Sequence, residues 1–121
     1  PEESTPADLA ELAAQFPQAN FVAAHAGGDW ALGIRAVRPY PNIAIETSGF
    51  DPTQGFIERA VRDLGAERIM FGGHFMSRSV ATEFSKMLGD EISESDRSMI
   101  FGGTLRRMLG PIMRRKGMRI E

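Results

Sequence analysis

The chain has 121 residues, 42% of them apolar, which suits one modest domain with a real core. A formal net charge of −2 argues against binding nucleic acid through bulk charge, and the absence of cysteine excludes disulfides, thiolate metal sites and a thiol nucleophile. No apolar run approaches the roughly 20 residues that cross a bilayer, and the acidic opening "PEESTPADLAE" is the opposite of a signal or transit peptide, so a cytoplasmic location is expected.

The start at Pro1 suits either a processed initiator methionine or a segment of something longer. After a short solvated lead-in, Thr5-Pro6-Ala7-Asp8 predicts a helix start: a capping hydroxyl, proline at the first helical position and a carboxylate at the positive end of the dipole. Leu9, Leu12, Ala13 and Phe16 form one face, and Pro17 ends the helix. "NFVAAH" reads as a buried strand bounded by Asn20 and Gly27-Gly28. "DWALGIRAVR" carries Trp30, Ile34 and Val37 at helical spacing, and "NIAIETS" is a second strand. In "DPTQGFIERAVRDLG", Asp51 is the expected N-cap, Pro52 lies in the first turn and Gly65 stands just past the helix end.

"RIMFGG" predicts the third strand, and Ser77 to Leu88 a helix with Val80, Phe84 and Met87 inward. "ISESDRSMIFGG" gives a short helix capped by Ser93, and "TLRRML" a final one capped by Thr104, with Gly102-Gly103 separating the two. The stretch from 110 to 121 is basic and broken at Gly110-Pro111, so a solvated tail is expected; contact with phosphate or an acidic partner is the alternative. The strands begin near residues 20, 42 and 68, which is the rhythm of βα units with parallel strands and right-handed crossovers. The fold class expected is α/β.

In such folds, sites gather at the carboxyl ends of the strands. The first strand ends on His25, the second on Glu46, Thr47 and Ser48, and the third on His74; these are the chain's two histidines. Neutral imidazole is a ligand for zinc and similar metals and a general base near neutral pH. A single histidine after a strand more often has a structural role, and a zinc site usually takes three protein ligands or more. Glu46 is the nearest third candidate, with strand alternation as the argument against it. "HAGGD" lacks a phosphate-loop pattern, so its glycines read as turn residues. Ser48 and Ser77 have no evident Ser-His-Asp setting, and Trp30 and the seven methionines read as core.

"FPQANFVAAHAGG", "NIAIETSG", "LGAERIMFGGHFMSR" and "ISESDRSMIFGGTLRRML", in this order, resemble the carboxyl-terminal part of the amidohydrolase-related proteins, over roughly residues 7–109. That family consists of TIM-barrel, metal-dependent hydrolases and decarboxylases. The resemblance implies a partial (β/α)8 barrel of about three parallel βα units with carboxyl-terminal helices. It also implies a divalent metal, zinc or manganese, and a small-molecule substrate such as a lactone, an amide or a carboxylated ring compound. His25 matches a position that is a metal ligand in the family. His74 stands where the family usually has an aspartate, so its implied role is second ligand or proton-transfer group. Thr104 replaces a frequent asparagine, and the family's His-x-His pair occurs nowhere in the chain.

Three strands cannot close a barrel, which takes about 250 residues. Their outer edges would expose unpaired backbone. The chain is therefore expected to be a segment of a longer protein, to pair with the missing amino-terminal part of a barrel, or to self-associate. The rival to an enzyme is a non-catalytic remnant of the same scaffold that works by association. Tail-mediated nucleic-acid binding is a third, less favoured reading.

Overall fold

Six α-helices and three short parallel strands make up the computed structural model, which describes residues 4–49 and 54–119. Helix α1 (Pro6–Gln15) begins as its sequence dictates. Thr5 Oγ1 accepts from Asp8 N while Asp8 Oδ2 accepts from Thr5 N, a closed capping box that holds the Asp8 carboxyl below its ordinary range. Its inward face is Ala10 and Ala13 with Leu9 beside them, not Leu12 and Phe16, which are 46% and 56% exposed. Small residues let α1 lie close to α2 (Trp30–Val37), so the larger side chains one step around the helix are turned outward.

Strands β1 (Phe21–Ala23), β2 (Ile43–Glu46) and β3 (Ile69–Met70) lie in the order β1-β2-β3, all parallel. Ala23 is in register with Ile45, and Ile45 with Ile69. Ile43, Ala44 and Ile45 are all buried, the pattern of a central parallel strand covered on both faces. Strand β3 is shorter than "RIMFGG" predicts because the next amide, Phe71 N, donates to Ile100 O at 2.9 Å rather than to a strand. One core unites Ile34, Val37, Ile43, Ile45, Ile57, Ile69, Met87 and Ile100. Burying each of the large aliphatics contributes roughly 1.5–3 kcal/mol.

Helix α3 (Phe56–Leu64) ends at Gly65, as expected, but begins behind Gly55 in a left-handed conformation (φ 85°). Asp51 and Pro52, the expected cap and first-turn residues, lie outside the described residues. Helix α4 (Val80–Gly89) starts later than the Ser77 expected. Met87 faces inward, but Val80 and Phe84 are 42% and 43% exposed, while Glu83 is buried. The inward turn of α4 carries an ion pair instead: Lys86 Nζ lies 2.7 Å from Glu83 Oε2 and also donates to Gly49 O, tying α4 to the loop after β2.

Ser93 caps α5 (Glu94–Ser98), as expected. Gly102-Gly103 do not separate two helices; residues Met99–Gly103 form a π-turn that runs directly into α6 (Thr104–Arg115). Thr104 is therefore no cap. It is fully buried and its hydroxyl donates to Ala66 O at 2.9 Å. Nor does the chain break at Gly110-Pro111. Pro111 forfeits one intrahelical bond, yet the helix runs on to Arg115 and ends at Gly117 (φ 72°), with Met118 N bonding back to Met113 O at 2.9 Å. No described helix is long and apolar enough to cross a membrane.

Candidate active site

Both histidines stand at the carboxyl edge of the sheet. His25 lies in a single 3₁₀ turn (Ala24–Ala26) directly after β1, and His74 four residues after β3. Both have positive φ, 59° and 44°, as do Ala26 and Met76 beside them. A non-glycine residue there costs roughly 1–2 kcal/mol, so the surrounding structure must hold it.

What holds His25 is the end of β2. Its Nδ1 lies 2.8 Å from Ser48 O, 3.2 Å from Ser48 Oγ and 3.8 Å from Glu46 Oε2. The carbonyl can only accept, so Nδ1 carries a proton, and in the neutral form of the ring the lone pair is on Nε2. Glu46 is fastened in turn by Ser48, whose N donates to Oε1 and whose Oγ donates to Oε2, both at 2.8 Å. Two glycines make the room. A Cβ on Gly49 (φ 80°) would stand 2.6 Å from His25 Nδ1, and one on Gly72 would stand 1.2 Å from Glu46 Oε1. The alternation argument against Glu46 fails because its carboxylate reaches toward His25, though to the Nδ1 edge and not to the lone pair.

The ring of His74 stacks on that of His25, with centroids 4.9 Å apart and planes inclined by 24°. Its Nδ1 pairs with Ser77 Oγ. Ser48 is not set up as a nucleophile with His25 as its base, because its hydroxyl proton is committed to Glu46. In "HAGGD" the glycines are turn residues, as expected: Asp29 Oδ1 accepts from Ala31 N and Leu32 N, both at 3.0 Å, and so fills the helix N-terminus that a phosphate would need.

Beside His25 a cleft of about 550 Å³ opens between Trp30, Phe56 and the Lys86–Asp90 end of α4, a volume suited to a small organic molecule. On its wall, burial first and then the neighbouring Glu58 carboxylate push Asp90 up to about 6, against the opposing pull of Arg97. Sequence alone placed Ser48 at this edge but gave neither its link to Glu46 and His25, nor Glu46's orientation, nor the parts of Gly49 and Gly72. The runs "ETSG" and "FGG" at two strand ends were their local signs. Among the described residues no group of three or more His, Cys, Asp or Glu side chains is arranged to hold a metal ion.

The family model of the amidohydrolases matches residues 2–110. No curated protein is significantly similar. Among solved structures, the chain is similar to amidohydrolase 2 from Bifidobacterium longum subsp. infantis (21% identity, TM-score 0.67, 87% of this chain and 45% of that one). It is also similar to 2,6-dihydroxybenzoate decarboxylase from Rhizobium (20%, 0.70, 87% and 39%) and to a zinc-bound amidohydrolase from Burkholderia multivorans (21%, 0.69, 87% and 49%). A related decarboxylase from Polaromonas sp. JS666 holds manganese. The chain thus spans under half the length of these structures, and its three parallel βα units correspond to part of their TIM barrels. The chain belongs to the amidohydrolase family.

Proposed function

We propose that the chain supplies the carboxyl-terminal part of a metal-dependent hydrolase or decarboxylase acting on a small lactone, amide or carboxylated ring compound. The observation that carries this is the paired imidazoles at the sheet's carboxyl edge, His25 oriented through Nδ1 and stacked on His74 beside the cleft. Two imidazoles suit zinc, and His25 presents the tautomer that a metal-binding histidine uses. The two rings would be a partial donor set, and the remaining ligands would have to come from outside the described residues, among which no group of three or more such side chains is arranged to hold an ion.

His25 would hold the ion through Nε2, and His74 would be the second ligand or would move a proton at the substrate. Bound there, the ion supplies positive charge that polarises a carbonyl or acidifies water. Trp30 and Phe56, in contact with ring centroids 5.4 Å apart, would give a substrate an apolar wall.

Metal analysis of the chain purified with zinc or manganese tests this reading. Bound metal that is lost in His25→Ala, with the circular dichroism spectrum retained, is the expected result. A metal-free protein whose stability is unchanged by His25→Ala overturns it. That outcome would support the second reading, a scaffold acting by association, which the exposed Phe75, Met76 and Leu88 favour.

A further inference from the structure

We infer that Glu46 is a positioning residue that fixes the tautomer of His25, acting through the Ser48 hydroxyl and held in place by the missing side chain of Gly72. Both Glu46 oxygens accept from Ser48, one from the amide and one from the hydroxyl. A carboxylate has no proton to give, so it draws the hydroxyl hydrogen toward itself. Ser48 Oγ can then offer His25 Nδ1, 3.2 Å away, only a lone pair. The Ser48 carbonyl at 2.8 Å makes the same demand. Every partner that Ser48 presents to Nδ1 is thus an acceptor, and the proton is kept on that nitrogen, so that a neutral ring carries its lone pair on Nε2.

Position is secured from the third strand's side. A Cβ on Gly72 would lie 1.2 Å from Glu46 Oε1 and 2.2 Å from its carboxyl carbon, so any side chain there would evict the carboxylate. Three successive strand ends therefore cooperate: β1 supplies the ring, β2 the relay, and the segment after β3 the space.

This inference rests on reading His25 as a functional nitrogen, but its test does not depend on metal or turnover. Imidazole ¹⁵N shifts of the labelled chain are recorded on the alkaline plateau of their pH titration, with His74→Gln used to assign the signals. The wild-type chain is expected to hold His25 with Nδ1 protonated. In Glu46→Gln the amide can donate to Ser48 Oγ and free the hydroxyl to donate to His25. The tautomer ratio should then move toward Nε2–H by about fivefold, the worth of one net hydrogen bond. Gly72→Ala, which leaves Glu46 chemically intact, should move the ratio in the same direction. If Glu46→Gln does not fold, Gly72→Ala and Ser48→Ala decide the matter. A ratio unchanged in the variants that fold, or a wild-type ring protonated on Nε2, overturns the proposal. Loss of metal binding with an unchanged tautomer would leave the functional reading standing and sink this one.

Discussion

The rings of His25 and His74 touch face to face although they come from strands that are not neighbours: β2 lies between β1 and β3. Alternate strands stand about 9–10 Å apart, so the two side chains must lean toward each other over the end of β2. Both residues take left-handed backbone angles where they do so.

Replacing His74 by the family's usual aspartate tests what that ring contributes. A carboxylate brings negative charge and hard oxygen donors, which favour manganese relative to zinc more than imidazole does. In competition with both ions, His74→Asp is expected to raise the manganese-to-zinc ratio of the bound metal, read by elemental analysis.

Gly33 in α2 backs the turn that carries His25. A Cβ there would meet Ala26 O at 1.7 Å, a backbone atom that cannot swing aside. Glycine to alanine in an open helix gains about 1 kcal/mol. Gly33→Ala is expected to reverse that sign and cost roughly 2–3 kcal/mol in urea denaturation.

Arg68 holds the opposite end of the sheet. Its guanidinium donates to Ile43 O at 2.9 Å and to Val37 O and Tyr40 O, each at 2.7 Å, and burial lowers its pKa from the ordinary value. These carbonyls lie at the end of α2 and the start of β2, and two of them also accept from the backbone, Val37 O from Tyr40 N at 3.0 Å and Tyr40 O from Ile43 N at 3.1 Å. Arg68→Met keeps much of the volume but removes these charge-assisted bonds, and is expected to cost about 2–3 kcal/mol by thermal or chemical unfolding.

Asp90 predicts a pH dependence. Because burial and Glu58 raise its folded pKa to about 6 from an ordinary 3.8, the folded state binds the proton more tightly than the unfolded chain does. Its favourable contribution is complete below 3.8 and is lost as pH rises through about 6. Asp90→Asn is expected to be the more stable protein at pH 7, by on the order of 1 kcal/mol after allowing for the group's partial hydration. The two proteins should converge near pH 4, as denaturation curves at the two pH values would show.

The outward side of α4 and the loop before it expose Phe75 (82%), Met76 (89%) and Leu88 (61%). With both outer strand edges also unpaired among the described residues, the 13.3 kDa chain alone is expected to sediment as an assembly. Analytical ultracentrifugation showing only monomer at micromolar concentration would contradict this.

Features whose cause lies within one turn of chain were legible from the residues. The Thr5 and Ser93 caps follow from side chains that meet their own backbone, the stop at Gly65 from its left-handed freedom, and the strand–helix rhythm from local hydrophobic runs. Knowing that sites gather at strand ends then brought both histidines to one edge. Contacts between distant residues were decided only by tertiary structure. Glu46 turned toward His25 because Gly72 leaves space, Thr104 became a buried donor to Ala66 instead of a cap, and α4 buried Glu83 in place of Phe84. Pro111, a local stop signal, was overridden by the helix that carries it. A periodic pattern records how apolar a position is, whereas which neighbour fills the space beside it depends on strands and helices that the pattern never sees.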